Sequence, residues 1–290
     1  MSDSGSHTWS IGSVELHRVP YFDIGLPADG IDLDGVAGSV EWSDPWLTDG
    51  EPTVGQAFWV IESGGGTAVV DPCGASDVFL RSGPGAVGHQ KAAFDLFRAA
   101  GHDPDTVDHV VFTHLDGIGM AALADGADAG DEAWTPAFPN ADLIVSAQEY
   151  AHLAGETDVG GLAAFNRLDE LGIVRPVETP HQLLPDVMLC LTGAHSPGHC
   201  RIEIESGGDR AVLIGHLAIS PLHAAVGVSA NHNDPRLAWQ EFSVVLDDAA
   251  RDDALVAGSL WPAPGAARVS GTDPYVLTPA PPSPAPITSR

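Results

Sequence analysis

The chain has 290 residues, 44% of them hydrophobic, which is enough apolar material for one large domain with a sizeable core. Forty acidic residues stand against 12 basic ones, a formal net charge of −28, and Lys91 is the one lysine. A surface this acidic repels nucleic acid and anionic membrane, so neither is an expected partner.

Met1 to Ser10 is polar and lacks the basic start and apolar run of a secretory leader. No run of about 18 apolar residues follows anywhere in the chain. Trp9 to Val19 alternates as a first strand, closed by Pro20. Residues 21–55 are rich in Gly, Asp and Pro and read as a long loop, of the kind that forms lids or binding walls. Trp42 and Trp46 within it either touch an apolar ligand or pack the loop onto the body. Gln56 to Glu62 and Thr67 to Val70 read as a hairpin across Ser63-Gly64-Gly65-Gly66, ended by Asp71-Pro72-Cys73-Gly74. Lys91 to Ala100 is a helix with Phe94, Leu96 and Phe97 on its apolar side and Gly101 as its stop. Val107 to Thr113 is a buried strand leading into a loop at His114. Leu143 to Ser146 is a short strand, and Ala147 to Leu153 and Gly161 to Leu171 are helices, the second stopping at Gly172.

Val187 to Thr192, Arg201 to Glu205, Ala211 to Ile214 and Leu255 to Ala257 are strands, with a helix over Pro235 to Leu246. Tyr275 to Leu277 is the last strand. From Pro279 the chain is Pro/Ser-rich, and 279–290 is expected to be a disordered tail. Cys190 lies in an apolar run, and Cys200 reads as a buried, inert thiol. Three cysteines without zinc-ribbon spacing fit a reduced, cytoplasmic setting. In each half, strands precede a helix and then a loop that bears polar residues. That pattern favours an α/β (α+β) fold, an αββα sandwich of two mixed β-sheets flanked by helices, as one domain over 1–278.

Two stretches carry the chemistry: Val110 to Gly119, containing Thr113-His114-Leu115-Asp116-Gly117, and Gly193-Ala194-His195-Ser196-Pro197-Gly198-His199. The second resembles the Gly-His-Thr-Pro-Gly-His signature of the metallo-β-lactamase superfamily. Gly101 to His114 is similar to that family's entry into its first metal loop. Pro136-Ala137-Phe138-Pro139-Asn140-Ala141, followed by Gln148-Glu149-Tyr150, is similar to the next segment in its lactonase-like and organophosphate-hydrolase-like members. Leu255 to Gly265 resembles the segment that holds the last metal ligand. The four matches occur in order across roughly residues 8–278.

The resemblance implies two metals, mostly zinc. One is held by three histidines. The other is held by an aspartate, two histidines and a shared bridging carboxylate. His114 matches the first histidine and His195 the third histidine of the first site. His216, in Gly215-His216, stands where the bridging aspartate is expected, and Leu260 where the final histidine belongs. The first loop departs from His-x-His-x-Asp-His and aligns in two ways. Without a gap, Asp116 replaces the second histidine, and Ile118 and Gly119 replace the aspartate and histidine of the second site. With a two-residue deletion, Asp116 is the second-site aspartate and Gly117 replaces its histidine. Both alignments keep His114, Asp116, His195 and His216 as metal ligands, with Asp116 and His216 also the candidate catalytic groups. Leu260, Gly117, Ile118 and Gly119 offer no side-chain ligand, so the second site is expected to be missing.

Three imidazoles and a carboxylate suit one Zn²⁺ with a position open to water, whose pKa falls to about 7 on the metal. A two-histidine, one-carboxylate face suits Fe²⁺ instead. A metal-free chain, its histidines bonded to backbone carbonyls, is the further alternative. Asp71 is expected to orient a metal-bound histidine through its ring N–H. His199 reads as structural, and His223 and His232 lie in a loop that either approaches the site or, as the favoured reading, faces solvent. Gly-x-Ser-x-Gly is missing, as are a Gly-x-Gly-x-x-Gly turn after a strand and a phosphate loop with lysine, which argues against nucleotide binding.

Two functions lead. One is a single-metal hydrolase of a lactone, ester or similar small carbonyl compound. The other is a metal-free protein that binds a small molecule, or catalyses an acid/base rearrangement or elimination in a biosynthetic pathway. A single-iron oxygenase, as in the superfamily's sulfur-oxidising branch, is a third possibility. All take a small-molecule partner, and a homo-oligomer is compatible with each.

Overall fold

The computed structural model describes residues 5–33, 35, 38–72, 86–116, 124–125, 135–156, 159, 162–228 and 232–284. The first half supplies β1 (His7–Ile11), β2 (Val14–Gly25), β3 (Leu47–Thr48), β4 (Glu51–Ser63), β5 (Gly66–Val70), α1 (Ala86–Ala99), β6 (His109–Val111), β7 (Ala124–Asp125), β8 (Thr135–Pro136), β9 (Asp142–Ser146), α2 (Ala147–Leu153), α3 (Leu162–Glu170) and β10 (Val174–Val177). Its sheet runs β1-β2-β4-β5-β6-β9-β10, with β3 on the edge of β4 and β7–β8 as a separate ribbon. The second half supplies β11 (His181–Leu184), β12 (Val187–Leu191), β13 (Cys200–Ser206), β14 (Asp209–Leu213), α4 (His223–Val226), α5 (Pro235–Asp252), β15 (Leu255–Ala257), β16 (Ala266–Ser270) and β17 (Val276–Pro279). These seven strands pair in chain order.

β4 explains the layering. Successive side chains of a strand point to opposite faces, and this strand is buried on both. Trp59 and Ile61 face inward, where Leu16, Val70 and Val111 meet Leu189, Ile202, Leu213 and Leu255 of the second sheet. Phe58 and Val60 face outward onto Phe94 and Phe97 of α1, with Phe165 and Leu168 of α3 in the same layer. On the far side Phe242, Val245 and Leu246 of α5 cover Val212, Val256 and Val269. The result is the αββα sandwich expected from the sequence. Among the described residues no helix is long and apolar enough to cross a membrane.

Four expectations need correction. Trp9–Val19 is two strands, because Gly12 turns at φ 58 and a Cβ there would stand 2.3 Å from the Ser206 carbonyl oxygen. The long loop is shorter than 21–55, because Phe22 to Gly25 pair with Thr53 to Gln56. α5 runs past Leu246 to Asp252, where Asp253 closes it in a left-handed cap. The disordered tail does not begin at Pro279: that residue belongs to β17, Ala280 is buried, Trp9 Nε1 donates to the Pro281 carbonyl, and Ser283 N–H donates to the Thr8 carbonyl. Cys73 and residues 285–290 lie outside the described residues.

Candidate metal centre

The polar loops gather at the carboxyl ends of β5, β6, β12, β14 and β15, which deliver Asp71, His114, His195, His216 and Ser259 in turn. One ligand atom from each of His114, Asp116, His195 and His216 lies within 4.8 Å of the other three. His114 Nε2 is 3.1 Å, and His216 Nδ1 3.3 Å, from the same Asp116 oxygen. The His114 ring lies 4.7 Å from that of His195 and 4.2 Å from that of His216, centroid to centroid. Two glycines make this approach feasible. A Cβ on Gly215, at φ +56, would stand 2.6 Å from Thr113 Oγ1 and 2.7 Å from His199 Nε2. One on Gly198 would stand 2.0 Å from the Glu149 backbone nitrogen.

A hydrogen-bonded relay sets the His114 tautomer. Thr113 donates its hydroxyl to Asp71 at 2.8 Å, and Thr113 N–H donates to the other Asp71 oxygen at 2.8 Å. The hydroxyl oxygen is then free to accept from His114 Nδ1–H, 3.0 Å away. That leaves Nε2, buried and 3.1 Å from the Asp116 carboxylate, facing the quartet. Asp71 therefore acts on His114 through Thr113 rather than through direct contact with the ring, as the sequence suggested. Ser259 donates its hydroxyl to the same carboxylate.

Burial pulls the His114 pKa down, but the charge and hydrogen bond of Asp116, then Asp71 and Glu149, outweigh it and raise the ring to about 9. Burial likewise opposes the charge on Asp116, yet His114 and His216 hold that carboxyl well below its ordinary range. Asp116 keeps 30% of its side chain at the surface, so water screens the pair. His195, His199 and His216 are all held low, first by burial and then by the charge on His114. In the chain alone, one imidazolium and a set of neutral imidazoles surround one carboxylate. Neutral imidazole and carboxylate are the donors that zinc and ferrous iron take, so the donor set fits one such ion.

No family model matches the chain, and no curated protein matches it in sequence. Solved structures do match. The hydrolase AbOPH, of the beta-lactamase superfamily, has a TM-score of 0.77 at 16% identity, over 97% of this chain and 99% of its own. AidC, a dizinc quorum-quenching lactonase solved in complex with a product, has a TM-score of 0.73 at 16% identity, over 96% and 98%. A quorum-quenching N-acyl homoserine lactone lactonase has a TM-score of 0.60 at 16% identity, over 87% and 93%. The chain has the metallo-β-lactamase fold.

Within that fold several residues take places that the sequence did not assign. His232 is 9% exposed rather than solvent-facing, and its Nδ1 lies 3.1 Å from His195 Nδ1. The loop bearing it is fastened to the His195 loop by Asn233 N–H to the His195 carbonyl and Asp234 N–H to the Ala194 carbonyl. Its one sequence mark is the helix start after it, where Asp234 caps α5 ahead of Pro235. His223 is buried too, with its ring Nε2 3.0 Å from the Ile31 carbonyl. His199 is structural as expected: its Nδ1 meets Thr192 Oγ1 at 2.7 Å and its Nε2 accepts the His216 N–H. Glu149 enters the sequence reading only through the Gln148-Glu149-Tyr150 resemblance, with no role at the site, although Ser146-x-x-Glu149 has the spacing of a capping box. Leu260 is 5% exposed in the wall beside His114 and His216, its carbonyl held by Gly55 N–H. Gly117, Ile118 and Gly119 lie outside the described residues.

Proposed function

We propose that this chain is a hydrolase that uses one metal ion to act on a lactone, an ester or a similar small neutral carbonyl compound. The observation that carries the reading is the quartet itself, four ligand atoms from three loops within 4.8 Å of one another. His114, Asp116, His195 and His216 would hold one Zn²⁺, or Fe²⁺ as the alternative. A bound ion of this kind supplies Lewis acidity and water acidified to a pKa of about 7. The chain's own residues do the rest. Thr113 and Asp71 keep Nε2 of His114 turned to the centre. Asp116, beside His216 Nδ1, would take the proton through the carboxylate oxygen that does not hold the ion. The solved lactonases of the same fold support the choice of carbonyl substrate.

A second reading rests on a separate observation. Without metal, His114 is an imidazolium at neutral pH, raised to about 9 by Asp116 despite its burial. That pair is a ready acid for a rearrangement or elimination.

Elemental analysis of chain purified without chelators separates the two, with His114→Ala and His195→Ala measured alongside. The metal reading expects about one equivalent in the parent, lost in both variants, with hydrolysis of p-nitrophenyl acetate or γ-butyrolactone following metal content. Less than about a tenth of an equivalent, with no thermal stabilisation by added Zn²⁺ or Fe²⁺, would refute it and leave the metal-free reading.

A further inference from the structure

Gln56 is the unexplained polar residue of the centre. It lies within β4, opposite Phe22, and is 3% exposed. Both atoms of its carboxamide are buried, and neither has a hydrogen-bond partner among the described residues. Leaving one such buried group unpaired costs about 1–3 kcal/mol, and buried side-chain polar atoms in folded proteins mostly have partners. The amide lines a pocket with Asp71, Pro72, His114, His216, Ser259 and Leu260.

The other polar groups of that wall are committed. Asp71 takes the hydroxyls of Thr113 and Ser259, His114 lies between Thr113 and Asp116, and His216 faces Asp116. Leu260 is pinned next to Gln56, because its carbonyl accepts the Gly55 N–H at 2.9 Å. Among the described residues no lysine or arginine lines the pocket, and the Asp71 carboxylate does. The His114 imidazolium is balanced by Asp116, whereas Asp71 meets only neutral donors, so an anionic group meets net like charge there and a neutral group meets an amide with a free donor and a free acceptor.

We propose that Gln56 is a substrate-binding residue of this pocket and selects a neutral carbonyl compound with a hydroxyl or N–H next to its carbonyl. Gln56 Nε2 donates to the carbonyl oxygen, and Gln56 Oε1 accepts from the adjacent hydroxyl or N–H. The inference rests on the hydrolase reading only in that His114 and His216 border the same pocket, so a carbonyl held by Gln56 stands beside the metal quartet. The pairing itself needs no metal. A site built to pair a substrate hydroxyl or N–H rejects analogues that lack it far more strongly than an apolar site rejects a wrong size.

The test uses the full chain, isotope-labelled and stripped of metal with EDTA, titrated with lactamide and with lactate, its anionic counterpart of the same size. In amide-resolved NMR the Gln56 side-chain NH₂ signals, identified by their loss in Gln56→Leu and in Gln56→Met, should move saturably with lactamide and stay still with lactate. The Ser259 backbone signal should report lactamide binding weakened by about tenfold or more in either variant, the size of one lost hydrogen bond. Unmoved Gln56 signals, equal responses to lactate, or unchanged lactamide affinity in the variants would each overturn the proposal. Because metal is absent throughout, a failure here is separate from a failure to find metal in the native preparation. If either variant does not fold, the other and the parent's own Gln56 signals decide the question.

Discussion

Glu149 and Gly198 are fitted to each other at the centre of the site: the Gly198 N–H donates to the Glu149 carboxylate at 3.0 Å, and a Cβ on residue 198 would collide with the Glu149 backbone. The same carboxylate accepts Leu115 N–H at 2.8 Å and the Ser196 hydroxyl at 2.6 Å. One buried side chain in the first turn of α2 thus fastens the His114 loop to the His195 loop. Glu149→Gln puts an NH₂ where donors already point. It should cost about 2–4 kcal/mol in urea unfolding, since charge-assisted bonds are the strong ones. It should also weaken zinc binding about tenfold or more, as loss of a supporting partner does. Gly198→Ala should be worse on both counts. A Glu149→Gln cost below about 0.5 kcal/mol with unchanged zinc binding would show that the loops hold themselves in place.

The His114–Asp116 pair sets a pH signature for the metal-free chain. His114 is raised above its ordinary 6.5, so its contribution to stability is complete below that value and is lost as pH rises through about 9. Asp116 is depressed, so its contribution is present above its ordinary 3.8 and is lost as pH falls through its lower folded value. In EDTA, the melting-temperature gap between the parent and His114→Gln should therefore narrow between pH 6.5 and pH 9. Zinc must displace the same proton, so its affinity should rise over that window, with proton release visible by calorimetry in buffers of different ionisation enthalpy. A gap that stays constant across the window would mean that His114 is not protonated in the folded chain.

Thr113 makes a narrower test of how Asp71 acts. Thr113→Val keeps the shape but removes the hydroxyl, leaving His114 Nδ1–H without its acceptor and Asp71 short of one donor. The expected loss is about 1–2 kcal/mol in stability and about tenfold to a hundredfold in zinc affinity, read by competition with a chromophoric chelator. Thr113→Ser should restore most of both. If serine and valine behave alike, the relay does not govern the ring.

The parts legible in sequence were those with local marks. His114 and His195 lie in motifs that follow strands, and His216 follows a glycine that its neighbours require. Glu149 was hidden because its spacing reads equally well as an ordinary helix cap, and its partners, Leu115 and Gly198, are distant in sequence. Gln56 sits in Val54-Gly55-Gln56-Ala57-Phe58, which looks like any buried strand, and only the assembled pocket shows that its amide lacks a partner among the described residues. The strand that absorbs Phe22 to Gly25 was lost for a similar reason. Its Asp and Gly content signals a loop, and pairing with Thr53 to Gln56 across the sheet overrides that preference.

Trp46 tests the fate of the segment between β2 and β4. The tryptophan is fully buried, 6.3 Å from the Trp261 ring between centroids, in a cluster with Ile31, Leu33 and Phe242. His223 bonds the Ile31 carbonyl of the same segment, so the segment is fastened to the outer layer of the second sheet at two points. Trp46→Ala should cost about 3–5 kcal/mol in urea unfolding, the range for a large buried aromatic. His223→Leu leaves the Ile31 carbonyl unpaired and should cost about 1–3 kcal/mol. The two losses should fall short of additive in the double variant, because both residues hold one segment. If Trp46→Ala costs less than about 1 kcal/mol, the ring is not holding this segment to the core, and the ligand-contacting role suggested by its place in a long loop regains ground.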